Sequence, residues 1–118
     1  MSERMRKLSK TSSVDTMGYV AILKSKDIKI ILSTSIFTIG RDLKNHHVIP
    51  DITISDFHCR FIYDRLKNSW FLIDRSIGGT FLNDKKMFKH ELCSVKSGDK
   101  IRIGSTRRHV YKFLLLQK

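Results

Sequence analysis

The sequence has little cysteine and no long apolar run, and each shortage excludes a class of protein. Two cysteines, Cys59 and Cys93, are too few for a disulfide-stapled secreted scaffold. Apolar stretches such as Phe113–Leu116 fall far short of the roughly 20 residues that a membrane-spanning helix requires. The N-terminus lacks the apolar segment of a secretory signal. We therefore expect a soluble intracellular protein of the nucleus or cytoplasm, with free thiols and no membrane partner.

Acidic residues are also scarce. The chain has 11 Asp and Glu and 23 Lys and Arg, which gives a net charge of +12. This excess favours an acidic partner, whether nucleic acid, an anionic membrane surface or a phosphorylated protein. The first 17 residues carry only +2 of it, so the rest of the chain is basic as well. With 118 residues, of which 41% are hydrophobic, the chain is long enough for one domain with a packed core.

Residues 1–17 differ in composition from the remainder. Basic residues alternate there with serine and threonine, and the few apolar residues show no period. We expect a flexible basic Ser/Thr-rich tail, followed by one domain over residues 18–118. The segment Arg6–Ser9 resembles a site for a basic-directed kinase, and Thr11 and Thr16 are nearby. A phosphorylated tail threonine bound by a second copy would cause self-association; an unmodified leader is the alternative.

From Tyr19 onward, short apolar stretches rich in Ile, Val, Phe, Tyr and Thr alternate with turn residues. Such residues suit a pleated, half-buried surface, and turn signals at this spacing are typical of an all-β sandwich or barrel. No window shows a helical apolar stripe, although residues 87–95 have room for one helical turn. The main apolar stretches are Tyr19–Lys24, Ile28–Leu32, Ile36–Ile39, Ile52–Ile54, Cys59–Asp64, Trp70–Asp74, Lys100–Ile103 and His109–Leu116.

Two of the predicted loops carry residues with chemistry. Gly40 lets the backbone turn sharply at a strand end, and Arg41 would project from the rim with a planar fork suited to phosphate. Ser55 offers a hydroxyl and backbone N–H groups to an anion. His58 follows three residues later, but without the nucleophile elbow or orienting partner of a catalytic site. Taken singly, each has an ordinary alternative: a solvated arginine, a turn serine and a packed histidine.

No motif for a cofactor, a metal or an enzymatic reaction stands out. His58-Cys59 and His90-x-x-Cys93 are the only His/Cys clusters. Adjacent strand residues point to opposite faces, so Cys59 is better explained as a core residue in register with Phe61. Phosphate-cradling loops, acid pairs and triad signatures are not found. We therefore expect no cofactor, no metal site and no enzymatic activity.

In combination these pieces resemble the forkhead-associated (FHA) domain. The resemblance covers roughly residues 19–116 and rests on Gly40-Arg41, Ser55-x-x-His58, the segment 74–83 and the segment 98–104, in that order. It implies an all-β sandwich of two mostly antiparallel sheets with about eleven strands. It also implies that the loops at one end bind phosphothreonine peptides, so that the protein mediates phosphorylation-dependent interactions in signalling.

The resemblance also assigns roles to individual residues. Arg41 and Ser55 match the family's phosphate-binding residues, and His58 matches the histidine that supports the loop. We expect Lys44, Arg75 and Ser76 to make auxiliary contacts. We expect Thr53 and Ile77 to help set which peptide residues fit beside the phosphothreonine. The remaining scaffold positions of the predicted loops are Gly40, Gly79, Thr80 and Asn83.

Three positions depart from the family pattern. Gly78 replaces an asparagine that holds the peptide backbone, Ile77 replaces a residue that is often Ser or Thr, and Asp56 replaces a basic or neutral polar residue. Asp56 would either repel a phosphate or pair with a neighbouring basic side chain. Three interpretations stay open: a phosphothreonine site that includes Asp56 and Gly78, an FHA scaffold that binds protein without phosphate, and a basic β-domain that binds nucleic acid.

Overall fold

The computed structural model describes residues 18–117, and the predictions for the N-terminal tail fall outside them. This part of the chain contains no helix long and apolar enough to span a membrane. Its strands are β1 (Tyr19–Lys24), β2 (Lys29–Ile31), β3 (Ile36–Gly40), β4 (His47–Val48), β5 (Cys59–Asp64), β6 (Ser69–Asp74), β7 (Thr80–Leu82), β8 (Lys85–Lys86), β9 (Leu92–Val95), β10 (Lys100–Ile103) and β11 (Val110–Gln117).

These eleven strands form two sheets. The six-stranded sheet has the order β2-β1-β11-β10-β7-β8, and the five-stranded sheet has the order β4-β3-β5-β6-β9. Neighbouring strands run antiparallel, except that β3 and β4 are parallel. The prediction of an all-β sandwich of two mostly antiparallel sheets with about eleven strands is confirmed.

The core lies between the sheets and follows from the alternation of side chains along each strand. In β5, Cys59, Phe61 and Tyr63 point inward, and β6 alternates in the same way. Phe61 stacks on Phe113 of the other sheet with ring centroids 5.9 Å apart, and Trp70 meets Phe113 edge-on at 6.3 Å. Burying a side chain such as Phe stabilises the fold by roughly 1.5–3 kcal/mol. Burial also raises the pKa of the Cys59 thiol, which is a core residue as predicted.

One local expectation is wrong, and one possibility that the sequence left open is excluded. The alternating segment Ile52–Ile54 is a turn, in which the Ile54 N–H donates to the Asp51 carbonyl at 2.9 Å. Ile54 is buried but Ile52 is 86% exposed, so the alternation reflects one anchoring side chain and not a strand. The segment 87–95 contains no helical turn. Its last four residues form β9, which pairs with β6.

The two ends of the sandwich carry different features. Tyr19 pairs with Gln117 at one end, so the described chain enters and leaves there. The opposite end, which we call the loop end, gathers the β3–β4, β4–β5, β6–β7 and β10–β11 connections. There the Gly104 N–H donates to the Gly79 carbonyl at 2.9 Å, which joins loops that the sequence separates. The loop end holds most of the residues singled out from the sequence.

Candidate functional site

Arg41 follows β3 directly and is fixed by three contacts with the β4–β5 loop. Its backbone N–H donates to the Ser55 carbonyl at 3.0 Å, and its side-chain Nε donates to the Ile54 carbonyl at 3.1 Å. One terminal nitrogen, Nη2, lies 3.3 Å from Oδ1 of Asp56. The Arg41 side chain is 44% exposed. The inner nitrogen of the guanidinium is therefore anchored while its outer edge stays open to solvent.

Gly40 is required by the close approach of two loops. A Cβ at this position would lie 2.2 Å from the Asp56 carbonyl oxygen, far inside van der Waals contact. The absence of a side chain lets the Asp42 N–H donate to the same carbonyl at 3.1 Å. Gly40 thus allows the residues after β3 to lie directly against the β4–β5 loop.

His58 connects two loops through its ring and is fully buried. Its Nδ1 accepts the Ser55 N–H at 3.0 Å, and its Nε2 lies 2.8 Å from the Gly79 carbonyl, to which it donates. This pair of bonds requires a neutral ring with its proton on Nε2. Burial lowers the pKa of His58, although the Gly79 carbonyl and the charge of Asp74 oppose that shift. Both ring nitrogens hold backbone groups, so His58 supports the loops.

The Ser55 hydroxyl faces the β6–β7 loop. Its Oγ accepts the Ile77 N–H at 3.0 Å, while its own hydrogen has no acceptor within residues 18–117. The hydroxyl can therefore donate to an anion that sits between the two loops. The Ile77 side chain is 91% exposed. At Gly78 a Cβ would lie 3.6 Å from the Thr53 carbonyl oxygen, an ordinary contact, so the backbone there has room for a side chain.

A buried carboxylate shapes the β6–β7 loop from inside. Asp74 is 1% exposed, and its Oδ1 accepts the hydroxyls of Ser76 at 2.6 Å and Thr80 at 2.7 Å. The Ser76 Oγ in turn accepts the Gly79 N–H at 2.7 Å. Ser76 and Thr80 are both buried, and their hydroxyl hydrogens are in use. The burial of Ser76 argues against the auxiliary phosphate contact predicted for it and gives it a supporting position.

Three other predicted residues surround Arg41 and Ser55 without binding to them. Thr53 is exposed, and its N–H and hydroxyl both donate to Oδ1 of Asp51, at 2.9 and 2.8 Å. Lys44 is exposed and donates its backbone N–H to the Asp42 carboxylate at 2.8 Å. Arg75 is exposed and donates its backbone N–H to the His58 carbonyl. The side chains of Lys44 and Arg75 are available to a ligand that lies across the loops, whereas the Thr53 hydroxyl hydrogen is already used by Asp51.

Asn83, which the sequence grouped with the loop scaffold, lies at the other end of β7. Its Nδ2 donates to Oδ1 of Asp99 at 3.0 Å, and its Oδ1 accepts the Lys100 N–H at 2.9 Å. Its φ of 52° belongs to the tight β7–β8 turn, where asparagine is well tolerated. Asn83 therefore stabilises that hairpin against β10 and does not shape the loop end.

Asn45 is a bracing residue that the sequence did not single out. It is 7% exposed, and its Nδ2 donates to the carbonyls of Asp42 at 2.8 Å and Asp56 at 2.7 Å. The amide thereby ties the β3–β4 loop to the β4–β5 loop. One partner is eleven positions away along the chain, so no local pattern indicates the contact.

Asp51 is a second residue of this kind. Its Oδ2 lies 2.8 Å from Nε2 of His109 and 3.0 Å from Nη1 of Arg108, both in the β10–β11 connection. The hydrogen bond from His109, followed by those from Thr53, holds the pKa of Asp51 far below its usual range. Asp51 thus fastens the β4–β5 loop to the other sheet.

The resulting arrangement is suited to binding an oxyanion. A guanidinium edge, a serine hydroxyl and an exposed loop lie together on a frame of buried hydrogen bonds. Within the described chain, no three or more His, Cys, Asp or Glu side chains are grouped so as to hold a metal ion. Among residues 18–117, the carboxylate in contact with Arg41 is that of Asp56, which would compete with a bound anion.

Comparisons with known proteins agree with this description. The sequence model of the FHA domain matches residues 37–104. The chain is 28% identical over 120 residues to the DNA damage response protein kinase DUN1 of Saccharomyces cerevisiae, which covers 94% of the chain and 23% of the kinase. The chain therefore spans about a quarter of that relative's length.

Two solved structures illustrate the shared fold. One is the N-terminal FHA domain of Rad53p from the same yeast, in complex with a phosphothreonine peptide. The match has a TM-score of 0.69 and 19% identity, and covers 86% of this chain and 94% of that one. The other is EmbR of Mycobacterium tuberculosis, in complex with a low affinity phosphopeptide. Here the TM-score is 0.72 at 22% identity, over 84% of this chain and 25% of that one.

The family match covers more than half of the chain. It includes the close approach at Gly40, the anchored Arg41, the Ser55–His58 loop and the Asp74-centred loop. On these grounds the chain belongs to the FHA domain family.

Proposed function

We propose that the loop end binds phosphothreonine-containing segments of partner proteins and so mediates phosphorylation-dependent interactions in signalling. Arg41 is the principal phosphate contact, and Ser55 is the second. The observation that carries the proposal is the anchoring of Arg41 Nε on the Ile54 carbonyl, which holds the outer edge of the guanidinium open beside the Ser55 loop.

The energetics favour a phosphate over neutral ligands. A phosphorylated threonine carries about −1.5 to −2 charge at pH 7, and a guanidinium can bind two of its oxygens at once. Hydrogen bonds that involve charged groups contribute roughly 1.5–3 kcal/mol each. The loops are held by His58 and Asp74 before any ligand arrives, so little ordering has to accompany binding. The net charge of +12 would speed the encounter with an acidic partner at low salt.

The residues around Arg41 would read the peptide on either side of the phosphothreonine. Thr53, Ile77, Lys44 and Arg75 are exposed on three adjoining loops. The phosphopeptide complexes of Rad53p and EmbR support a phosphopeptide as the ligand class. The match to DUN1 covers a quarter of that kinase and supports an intracellular setting. We infer a binding module without chemistry of its own.

Two interpretations from the sequence remain as competing outcomes. A phosphate-independent protein binder is the first, since Gly78 lacks a side chain and Asp56 occupies Arg41. A nucleic-acid binder is the second, since the chain is strongly basic. Nucleic-acid affinity would fall steeply with salt and would not depend on Arg41 in particular.

The test is a degenerate phosphothreonine peptide library, screened on wild type and Arg41→Ala beside its unphosphorylated twin. We expect wild type to select phosphorylated peptides only. Arg41→Ala should lose about ten- to hundredfold in affinity for each charge-assisted bond that it removes. Its thermal midpoint should move little, because the side chain is half exposed.

Arg65→Ala is the matched control, because Arg65 is an exposed arginine in the β5–β6 turn at the far end of the sandwich. It should bind like wild type. Equal binding by Arg41→Ala and wild type, or equal selection from both libraries, would contradict the proposed function. A single-stranded DNA titration at rising salt detects the nucleic-acid alternative.

A further inference from the structure

A second feature lies beside the loop end, on the outer face of the five-stranded sheet. It is a cleft of about 350 Å³ lined by Thr38, Phe57, Cys59, Arg60 and Arg75. In β5 the flanking residues Cys59 and Phe61 are buried in the core, so alternation places the Arg60 side chain on the outer face. Arg75 approaches the cleft from the end of β6. The cleft is large enough for a carboxylate or phosphate group.

The cleft adjoins the proposed phosphate site. Phe57 belongs to the same loop as Ser55, two residues further on. The Arg75 N–H donates to the His58 carbonyl at 2.9 Å. This bond lies next to the pairing of Cys59 in β5 with Asp74 in β6. An extended peptide advances about 3.3 Å per residue, so side chains two to four positions from the phosphothreonine are the ones to test against this cleft.

The charge of the two cleft arginines is not neutralised inside the domain. Nε of Arg60 is buried and has no hydrogen-bond partner within residues 18–117. Neither Arg60 nor Arg75 forms an ion pair with any carboxylate of that part of the chain. Asp74, which precedes Arg75, turns its carboxylate inward to Ser76 and Thr80. Two guanidinium groups therefore share a concave surface without an acid.

Three other arginines of the domain are used differently. Arg41 contacts Asp56, and Arg108 contacts Asp51. Arg102 donates from Nη1 to the carbonyl of Ser105, and its guanidinium lies 3.9 Å from the centroid of the Phe81 ring. These contacts explain those side chains as parts of the fold or of the phosphate site. They do not explain Arg60 and Arg75.

We infer that this cleft is an anion subsite that takes an acidic side chain of the same peptide, beside its phosphothreonine. The inference rests on the proposed function and names its substrate class: phosphothreonine segments with a second oxyanion, either a carboxylate or another phosphate. The two guanidinium groups bind the oxygens, and the half-exposed Phe57 ring covers the aliphatic part of the side chain.

The test compares fluorescence anisotropy of three synthetic peptides. One carries phosphothreonine in neutral flanks, one adds aspartates two to four positions away on each side, and one adds phosphoserines at those positions. We expect at least tenfold tighter binding of wild type to an acidic or doubly phosphorylated peptide than to the neutral one. A gain with both peptides identifies any oxyanion as the ligand, and a gain with phosphoserine alone identifies a second phosphate.

The variants assign the gain to the cleft. Arg60→Gln/Arg75→Gln, and Arg75→Gln alone should Arg60→Gln unfold, are expected to remove most of the gain, which is measured in each variant as the ratio of its affinities for the acidic and the neutral peptide. The control Arg65→Gln/Lys96→Gln removes the same charge from turns at the far end and should keep the gain. Loss of the gain in both pairs of variants, or no gain in wild type, overturns the subsite.

A separate measurement distinguishes this inference from the proposed function. Inorganic phosphate is titrated into Arg41→Ala while the Nε–Hε NMR signal of Arg60 is recorded. A saturable shift that Arg75→Gln abolishes supports the subsite even if no phosphothreonine peptide binds. Absence of a saturable Arg60 shift overturns the subsite, whatever the peptides do at Arg41.

Discussion

The Asp56 carboxylate lies 3.3 Å from a terminal nitrogen of Arg41, the arginine whose Nε is already held by the Ile54 carbonyl. An acid of the domain itself thus occupies part of the edge that an incoming phosphate needs. The sequence left two roles open for Asp56, repulsion of a phosphate or pairing with a basic neighbour. In the structure it pairs, and the partner is the proposed phosphate clamp.

Asp56→Asn is therefore expected to strengthen phosphothreonine-peptide binding about three- to tenfold. The substitution removes an exposed ion pair worth about 0.2–1 kcal/mol and the repulsion that a phosphate would meet beside it. Isothermal titration at physiological salt measures the gain. Asp84→Asn is the control, because Asp84 is equally exposed and is paired with Lys100 in a remote turn. Weaker binding by Asp56→Asn would show that the carboxylate helps to hold Arg41 in place.

Gly78→Asn is expected to raise affinity for phosphothreonine peptides about two- to tenfold. A Cβ fits there without a clash, and an amide would add about one hydrogen bond to the peptide backbone, worth about 0.5–1.5 kcal/mol. Gly78→Ala imposes the same backbone restriction without the amide and serves as control. Identical affinities for the two variants would mean that this position does not face the peptide.

Gly40→Ala is expected to lower the free energy of unfolding by about 1–3 kcal/mol and to weaken peptide binding. The new methyl would meet the Asp56 carbonyl oxygen at 2.2 Å and force the two loops apart. Chemical denaturation measures the loss. Gly78→Ala, whose Cβ makes only an ordinary contact, should be neutral or slightly stabilising. Equal stability of the two variants would contradict the close approach.

Stability should fall as the pH drops from 7.5 to 5. Burial lowers the pKa of His58 below the ordinary 6.5, and burial with nearby His109 lowers that of His47. The unfolded chain therefore takes up protons before the folded one does. Stability is complete above about pH 6.5 and is lost through the folded-state pKa values, with a slope of at most about 1.4 kcal/mol per pH unit for each histidine.

Urea denaturation at several pH values measures this slope. The lowered pKa of Asp51 acts in a separate range, because its contribution disappears only below the usual carboxylate pKa of 3.8. His47→Gln should retain the share that comes from His58. A free energy of unfolding that stays constant from pH 7.5 to 5 would contradict a neutral His58 ring.

The fold could be predicted because its strands are rich in β-branched and aromatic residues and are separated by turn residues. The β5 and β6 strands bury every second residue, although the apolar run Trp70–Ile73 of β6 does not show this alternation in the sequence. The segment Ile52–Ile54 has the same appearance, yet only Ile54 reaches the core. Three residues are too few to separate a strand from a turn with one anchored side chain, so local pattern failed there.

The candidate site was predictable only as far as its local motifs. Gly40-Arg41 and Ser55-x-x-His58 could be read along the chain, since each is a short contiguous motif that resembles part of the FHA pattern. The bracing roles of Asn45 and Asp51 could not, because their partners lie 11 and 58 positions away. The cleft at Arg60 also depends on which strands are neighbours. Whether Asp56 repels a phosphate or pairs with a basic side chain depends on its distance from Arg41, which the sequence does not contain.

The pairing of Tyr19 with Gln117 places both connections of the domain at the pole opposite its recognition loops. The eight residues of β11 span about 26 Å at 3.3 Å each, and any tether must cover a similar length to return a phosphorylated segment to its own domain. A phosphorylated threonine as close in sequence to β1 as Thr16 cannot reach the loop end of its own domain. Short attachments thus favour capture by a neighbouring molecule, and only long ones permit capture in cis.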